Sequence, residues 1–233
     1  MKPAAGYITK CPGRRPALHR EPHQRLSEFL DYTTIKLSDK ETTAMQDYNE
    51  ILAEVLIDEE TLQSRIKELG AEISVDYPDG NLLLICILRG GVPFLVHLSR
   101  FITSPHMMDF MAVSSYGVGK RESSGTVRVT FDLQTDIHDK DVLLVEDIID
   151  SGHTIASVLE LLNLRQPRSL KVCAMLDKAE RREAVVPIHY RGFTIPNKFV
   201  FGFGLDLDEY YRNLPFVGVV DLKKYIPPTQ YGK

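Results

Sequence analysis

Glu146 and Asp147 are adjacent acids, followed by Asp150 and by the short turn Ser151, Gly152, His153, Thr154. The apolar run 142–145 ahead of them reads as a buried strand, and 155–164 beyond the turn repeats with a helical period. A tight turn entering a helix offers backbone N–H groups and the positive end of a dipole to an anion. Strand ends of an α/β sheet are also where ligands bind. Acids beside a phosphate cradle would be self-defeating unless they served something uncharged or cationic. A ribose diol and a Mg²⁺ ion both meet that condition, carboxylate oxygens being hard donors. Gly152 lets the backbone approach a phosphate closely. Ser151 and Thr154 add hydroxyls, and His153 contributes only its backbone. On spacing alone, Asp150 could be the N-cap of the helix that follows.

Four further clusters contain chemically useful residues. Leu88, Arg89, Gly90 and Gly91 form a basic, glycine-rich turn after the strand-like run 82–88. Ser115 and Tyr116 open a polar segment that ends near Gly125. Lys178 follows the apolar strand 170–176, with Arg181 and Arg182 just beyond. Phe199, Val200, Asp206 and Arg212 lie in a phenylalanine-rich stretch near the end of the chain. Each alone has a plain alternative: a strand–helix turn, a hairpin tip, a solvated lysine, core residues of a strand.

Taken in this order, the residues resemble the type I phosphoribosyltransferases. The run Val-Glu-Asp-Ile-Ile-Asp-Ser-Gly-x-Thr at 145–154 is similar to that of the hypoxanthine(-guanine) branch. The resemblance covers roughly residues 54–221. It implies purine salvage, the transfer of phosphoribose from 5-phosphoribosyl 1-pyrophosphate (PRPP) to hypoxanthine or guanine with release of pyrophosphate and IMP or GMP. It implies Asp150 as the group that exchanges a proton with N7 of the base, and 150–154 as the 5′-phosphate loop. Glu146 and Asp147 would hold the ribose hydroxyls and Mg²⁺. Leu88, Arg89, Gly90, Arg182 and Arg212 would serve pyrophosphate, the peptide before Arg89 being one that can adopt the cis form. Ser115 and Tyr116 would sit on a lid that excludes water from the reacting C1′. Lys178 would bond O6 of a 6-oxopurine, Phe199 would stack on the ring, and Val200 would offer backbone groups to its edge. Asp206 would act near a second Mg²⁺ or the purine 2-position. Where bacterial relatives often have proline, this chain has Ala179. A related xanthine enzyme and a non-catalytic PRPP-sensing regulator are the alternatives.

The elements needed to position these residues follow from periodicity. Asp58 is placed to cap a helix carrying Glu59 and Glu60 in its first turn and Leu62, Ile66 and Leu69 as its apolar stripe, with Gly70 ending it. Strands near 108–113, 126–131, 193–195, 199–203 and 217–220 complete an alternation of strands and helices. That alternation predicts an α/β fold, a mainly parallel sheet flanked by helices, with a small hood from the N-terminal segment and the final strands. Residues 46–233 read as the phosphoribosyltransferase domain. Residues 1–45 read as an extension, disordered or loosely docked. Its start is basic and acid-poor like a transit peptide, but Pro3, Pro12, Pro16 and Pro22 spoil the amphipathic helix such a peptide needs.

A net charge of −4 argues against a general nucleic-acid binder. No apolar run is long enough to cross a bilayer. Three cysteines, an odd number without metal-site spacing, give no disulfide framework and fit the reducing cytoplasm. A homodimer or homotetramer is expected from the resemblance.

Overall fold

The computed structural model describes residues 46–115 and 127–227; the extension 1–45 and most of the expected lid, Tyr116 included, lie outside them. In chain order the elements are α1 (Tyr48–Ile51), β1 (Leu52–Ile57), α2 (Glu59–Asp76), β2 (Leu82–Ile87), α3 (Val92–Ser99), β3 (His106–Ser115) and β4 (Val127–Phe131). Then come β5 (Asp141–Ile149), α4 (His153–Asn163), β6 (Ser169–Asp177), a 3-10 turn (Ala179–Arg181), β7 (Tyr190–Thr194), β8 (Val200–Phe201) and β9 (Val217–Val220).

Six strands form the main sheet in the order β4-β3-β2-β5-β6-β7. All its pairings are parallel except β3 with β4. β2 is buried along its whole length, as a central strand covered on both faces must be. Its side chains alternate between two cores. Leu82, Leu84 and Cys86 join the α2/α3 side, and Leu83, Ile85 and Ile87 join the α4 side. Along β5, Leu143 and Val145 face the first core and Val142 and Leu144 the second.

A second sheet, β1-β9-β8, forms the hood from the two ends of the described chain. Val200 points into the α2/α3 core and Phe201 into a small hood core with Ile51, Leu207, Leu214 and Val220.

The strand expected over 199–203 shortens to Val200–Phe201, and a second departure has a visible cause. α2 begins as predicted, with Asp58 accepting from Thr61 N at 2.8 Å, but it continues past Gly70 to Asp76. Gly70 is there for contact: a Cβ at this position would lie 2.5 Å from Phe101 Cβ and 2.8 Å from its backbone. The absent side chain lets α2 meet the segment after α3.

Candidate active site

The site is assembled at the carboxyl ends of β2, β5 and β6. Successive residues of a strand face opposite sides of the sheet, so Glu146 and Asp147 leave the end of β5 toward different sides while their carboxyls stay close enough to interact. Glu146 lines a cavity of about 160 Å³ together with Ile148, Asp150, Ser151, Gly152 and Thr154. Asp147 turns to the α3 side, where a Cβ on Gly90 would collide with its carboxylate. Gly204 closes on the same point, since its own Cβ would strike the Gly90 carbonyl. The expected pyrophosphate turn, Asp147 and the hood segment therefore meet at one place.

Burial, then the neighbouring Asp147 charge, pushes the Glu146 carboxyl well above its usual value. Burial raises Asp147 to about 6, opposed by the Ile148 N–H and by Arg212. One Glu146 oxygen, Oε2, is enclosed with no hydrogen-bond partner among the described residues. Two neighbouring, partly buried carboxylates, one with an enclosed oxygen lacking any donor, suit a hard cation. No group of three or more His, Cys, Asp and Glu among the described residues could hold a metal by itself. Mg²⁺, which keeps waters and takes substrate oxygens beside one or two carboxylates, fits that donor set.

The turn expected to hold phosphate is built by Gly152, which takes φ +90° and serves as N-cap of α4 with no side-chain cap. Its left-handed backbone is one that L side chains rarely adopt. The first N–H groups of α4 are left without a capping side chain, the arrangement an anion needs. Asp150 is thus not the cap. Its Oδ2 accepts from Lys178 Nζ at 3.4 Å, and Arg181 Nε lies 3.1 Å from Oδ1. Lys178 is only 7% exposed.

Segment 178–184 clamps this turn. Lys178 N donates to Ile149 O at 3.0 Å, and the Glu183 and Ala184 N–H groups donate to Ser151 O at 2.9 and 3.0 Å. His153 uses its side chain as well as its backbone: Nε2 is 2.9 Å from Glu183 Oε2. Arg182 sits on the phosphate side of the site. Its Nη2 meets Asp177 and Ile149 O, its Nη1 is buried with no hydrogen-bond partner among the described residues, and its Cδ packs beneath Gly152, so one edge of the guanidinium braces the turn.

On the opposite side, Arg212 Nη1 donates to Gly204 O at 2.9 Å, and its Nη2 lies 2.8 Å from Asp206 and 3.2 Å from Glu209. Arg89 Nη2 is 2.7 Å from the same Glu209 carboxylate. The Leu88–Arg89 peptide is cis. Phe199 is 52% exposed, leaving a ring face open. Val220 N donates to Phe199 O at 2.9 Å, while Val200 stands opposite Val219. The alternation of an antiparallel ladder then turns the Val200 N–H and C=O outward, along the free edge of the hood sheet. Ser115 pairs with Val127 at the end of the β3–β4 ladder.

Sequence reasoning gave no role to Arg181, Glu183, Gly204, Glu209 or Asp177. Arg181 had a signal: it is three residues from Lys178, and a 3-10 turn eclipses such pairs. Glu183, Gly204 and the Arg89 contact of Glu209 act across long chain separations that no local pattern encodes, whereas Asp177 and Arg182 are near in the chain but carry no motif that marks them as a pair.

With this geometry, comparison with known proteins is specific. The chain belongs to the phosphoribosyltransferase family, matching the phosphoribosyl transferase domain over residues 56–208. It is 47% identical over 171 residues to the hypoxanthine phosphoribosyltransferase of Salmonella typhimurium, covering 72% of this chain and 96% of that one. It is 49% identical over 177 residues to the hypoxanthine-guanine phosphoribosyltransferase of Mycobacterium avium, covering 73% and 87%. A crystal structure of a hypoxanthine phosphoribosyltransferase from Staphylococcus aureus is similar with a TM-score of 0.75 and 42% identity, over 79% of this chain and all of that one.

Proposed function

We infer that this chain transfers the 5-phosphoribosyl group of PRPP to hypoxanthine and to guanine, giving IMP or GMP and pyrophosphate. The observation that carries the reading is the Lys178–Asp150 pair, a buried ammonium 3.4 Å from a carboxylate beside the phosphate turn. O6 and N7 are neighbours on one edge of a 6-oxopurine. Lys178 donates to O6. Asp150 takes the N7 proton as N9 bonds to C1′ and the bond from C1′ to the pyrophosphate oxygen breaks, its electron pair leaving with pyrophosphate. Adenine presents an amino donor where Lys178 requires an acceptor.

Phe199 stacks on the purine, and the outward Val200 backbone groups read its edge. The α4 N-terminus with Ser151 and Thr154 holds the 5′-phosphate, and Glu146 and Asp147 take the diol. Arg89, Arg212 and the 88–90 backbone take pyrophosphate, and Asp206 serves beside them. One Mg²⁺ beside Glu146 and Asp147 and a second near Asp206, each completed by substrate oxygens and water, would mask the pyrophosphate charge as it departs. Cys86 and Cys173, buried and free, support a reducing cytoplasm, and no described helix is long and apolar enough to cross a membrane. We expect a homodimer or homotetramer.

The deciding assay is nucleotide formation from PRPP with hypoxanthine, guanine, xanthine and adenine, with and without Mg²⁺. IMP and GMP should form, and chelation should abolish both. A preference for adenine would overturn the role of Lys178. A preference for xanthine would shift the substrate, and PRPP binding without pyrophosphate release from any purine would leave a sensor in place of an enzyme.

A further inference from the structure

Asp177 ends β6 at 2% exposure, and its carboxylate sits between two guanidiniums. Oδ1 meets Arg182 Nη2, and Oδ2 is 2.9 Å from Arg191 Nε. A carboxylate this enclosed requires such partners, because an unpaired buried charge is expensive. The two arginines differ in what else they touch. Arg191 lies on β7, half exposed, and its guanidinium makes no hydrogen bond to residues 149–152 among those described. Arg182 turns the same Nη2 to Ile149 O at 3.3 Å and lays its Cδ 3.0 Å from where a Gly152 Cβ would stand. Ile149 O, already bonded by Lys178 N, thus receives two donors one residue before Asp150.

We propose that Asp177 and Arg182 are a positioning pair for the reaction. Asp177 fixes the guanidinium, and the guanidinium fixes the 149–152 backbone, which sets the Asp150 carboxylate and the N–H groups of the phosphate turn. Neither residue touches a reacting atom. The inference rests on the functions assigned above to Asp150 and the turn.

The test compares Arg182→Gln, Arg182→Lys, Asp177→Asn, the double variant Asp177→Asn/Arg182→Gln, and Arg191→Gln, by steady-state kinetics, Mg²⁺–PRPP titration and thermal melting. Misplacing a reacting group by a fraction of an ångström to 1 Å lowers rate by about 10–100-fold. Arg182→Gln and Asp177→Asn should lose kcat in that range and weaken PRPP, while KM for hypoxanthine moves less than about twofold, uniform base binding being untouched. The double variant should be no worse than Arg182→Gln, because Asp177 acts through Arg182. Arg182→Lys keeps the charge but not the fork, and should fall between. Arg191→Gln removes the other half of the same ion pair and should lower the Tm while keeping kcat and PRPP affinity.

Equal losses of kcat in Arg191→Gln and Arg182→Gln would reduce the pair to a structural one and overturn the proposal, as would additive losses in the double variant or unchanged kcat in Arg182→Gln. If Asp177→Asn does not fold, the Arg182 and Arg191 variants decide alone. A wild-type protein without turnover would sink the function reading, yet PRPP titration of the same variants would still judge the positioning role. Wild-type protein that bound no PRPP would end both.

Discussion

Asp150 stands two residues ahead of Gly152, the N-cap of α4, and is spared the capping duty its sequence position offered. Its carboxylate faces two cations instead, one of them buried. Asp150→Asn keeps the shape and hydrogen-bonding capacity but cannot take a proton, so kcat should fall by about 10²–10⁴-fold with PRPP affinity retained. Rapid-quench turnover beside PRPP titration checks this, and unchanged turnover would remove Asp150 from the chemistry. Lys178→Met fills a similar volume without a donor. Charged hydrogen bonds contribute about 1.5–3 kcal/mol, so KM for hypoxanthine should rise by roughly tenfold or more while adenine loses nothing. Competition between the two bases would reveal it, and an unaltered preference would mean that the 6-position is read elsewhere. Both residues were legible because the sequence places them in short local motifs. Asp177 and Glu209 were not, because charged residues a few positions from an arginine are common on any surface and only the fold adds their second partners, Arg191 and Arg89.

At the scale of elements, periodicity identified β2, α3, β5, α4 and β6 because their apolar spacing follows directly from burial on a sheet. It failed at Gly70, where a glycine after a helical stripe reads as a terminator. Close approach to Phe101 was the actual reason, and no single sequence distinguishes the two. Gly70→Ala would force α2 off Phe101. Overpacking of this kind costs about 1–3 kcal/mol, so the Tm should drop while kcat, set at the far ends of the strands, stays within twofold. A Tm equal to wild type would show that the two segments can part freely. The hood gives a contrasting case. Phe201 is fully buried and meets Tyr211 edge-on at 5.8 Å, yet it shares β8 with Val200, next to Phe199, the two residues proposed to receive the base. Phe201→Ala should cost about 3–5 kcal/mol and should also raise KM for the base, because the cavity lies under the strand that presents it. Loss of stability with base affinity intact would separate hood packing from recognition.

For the whole molecule, the order β4-β3-β2-β5-β6-β7 was not written in any local motif. Alternating strands and helices gave the class, but which strands become neighbours depends on contacts far apart in the chain. Neighbouring β2 and β5 is what brings Gly90 against Asp147. Concentrating acids at one end of the sheet also sets how stability responds to pH. Asp147 is raised to about 6 in the folded protein, above the unfolded carboxylate range, and Glu146 is raised as well. In metal-free protein, a raised carboxylate destabilises the fold while ionised, and that penalty is relieved as pH falls through 6 toward 4. Asp109 behaves oppositely. Burial alone would raise it, but N–H groups of Phe110, Gln134 and Thr135, at 2.7, 2.9 and 2.7 Å, hold it below the usual value. Asp76 is lowered by the Tyr190 hydroxyl and by Lys171. Their contribution is complete above the unfolded value of about 4 and is lost as pH falls through their lower folded values. Without Mg²⁺ the Tm should therefore rise from pH 7.5 to about pH 5 and collapse below about pH 4. Asp147→Asn should flatten the rising limb and leave the acid collapse in place. Melting curves followed by circular dichroism across that range test both limbs, and a Tm that falls steadily from pH 7.5 downward would show that the acid pair carries no such strain.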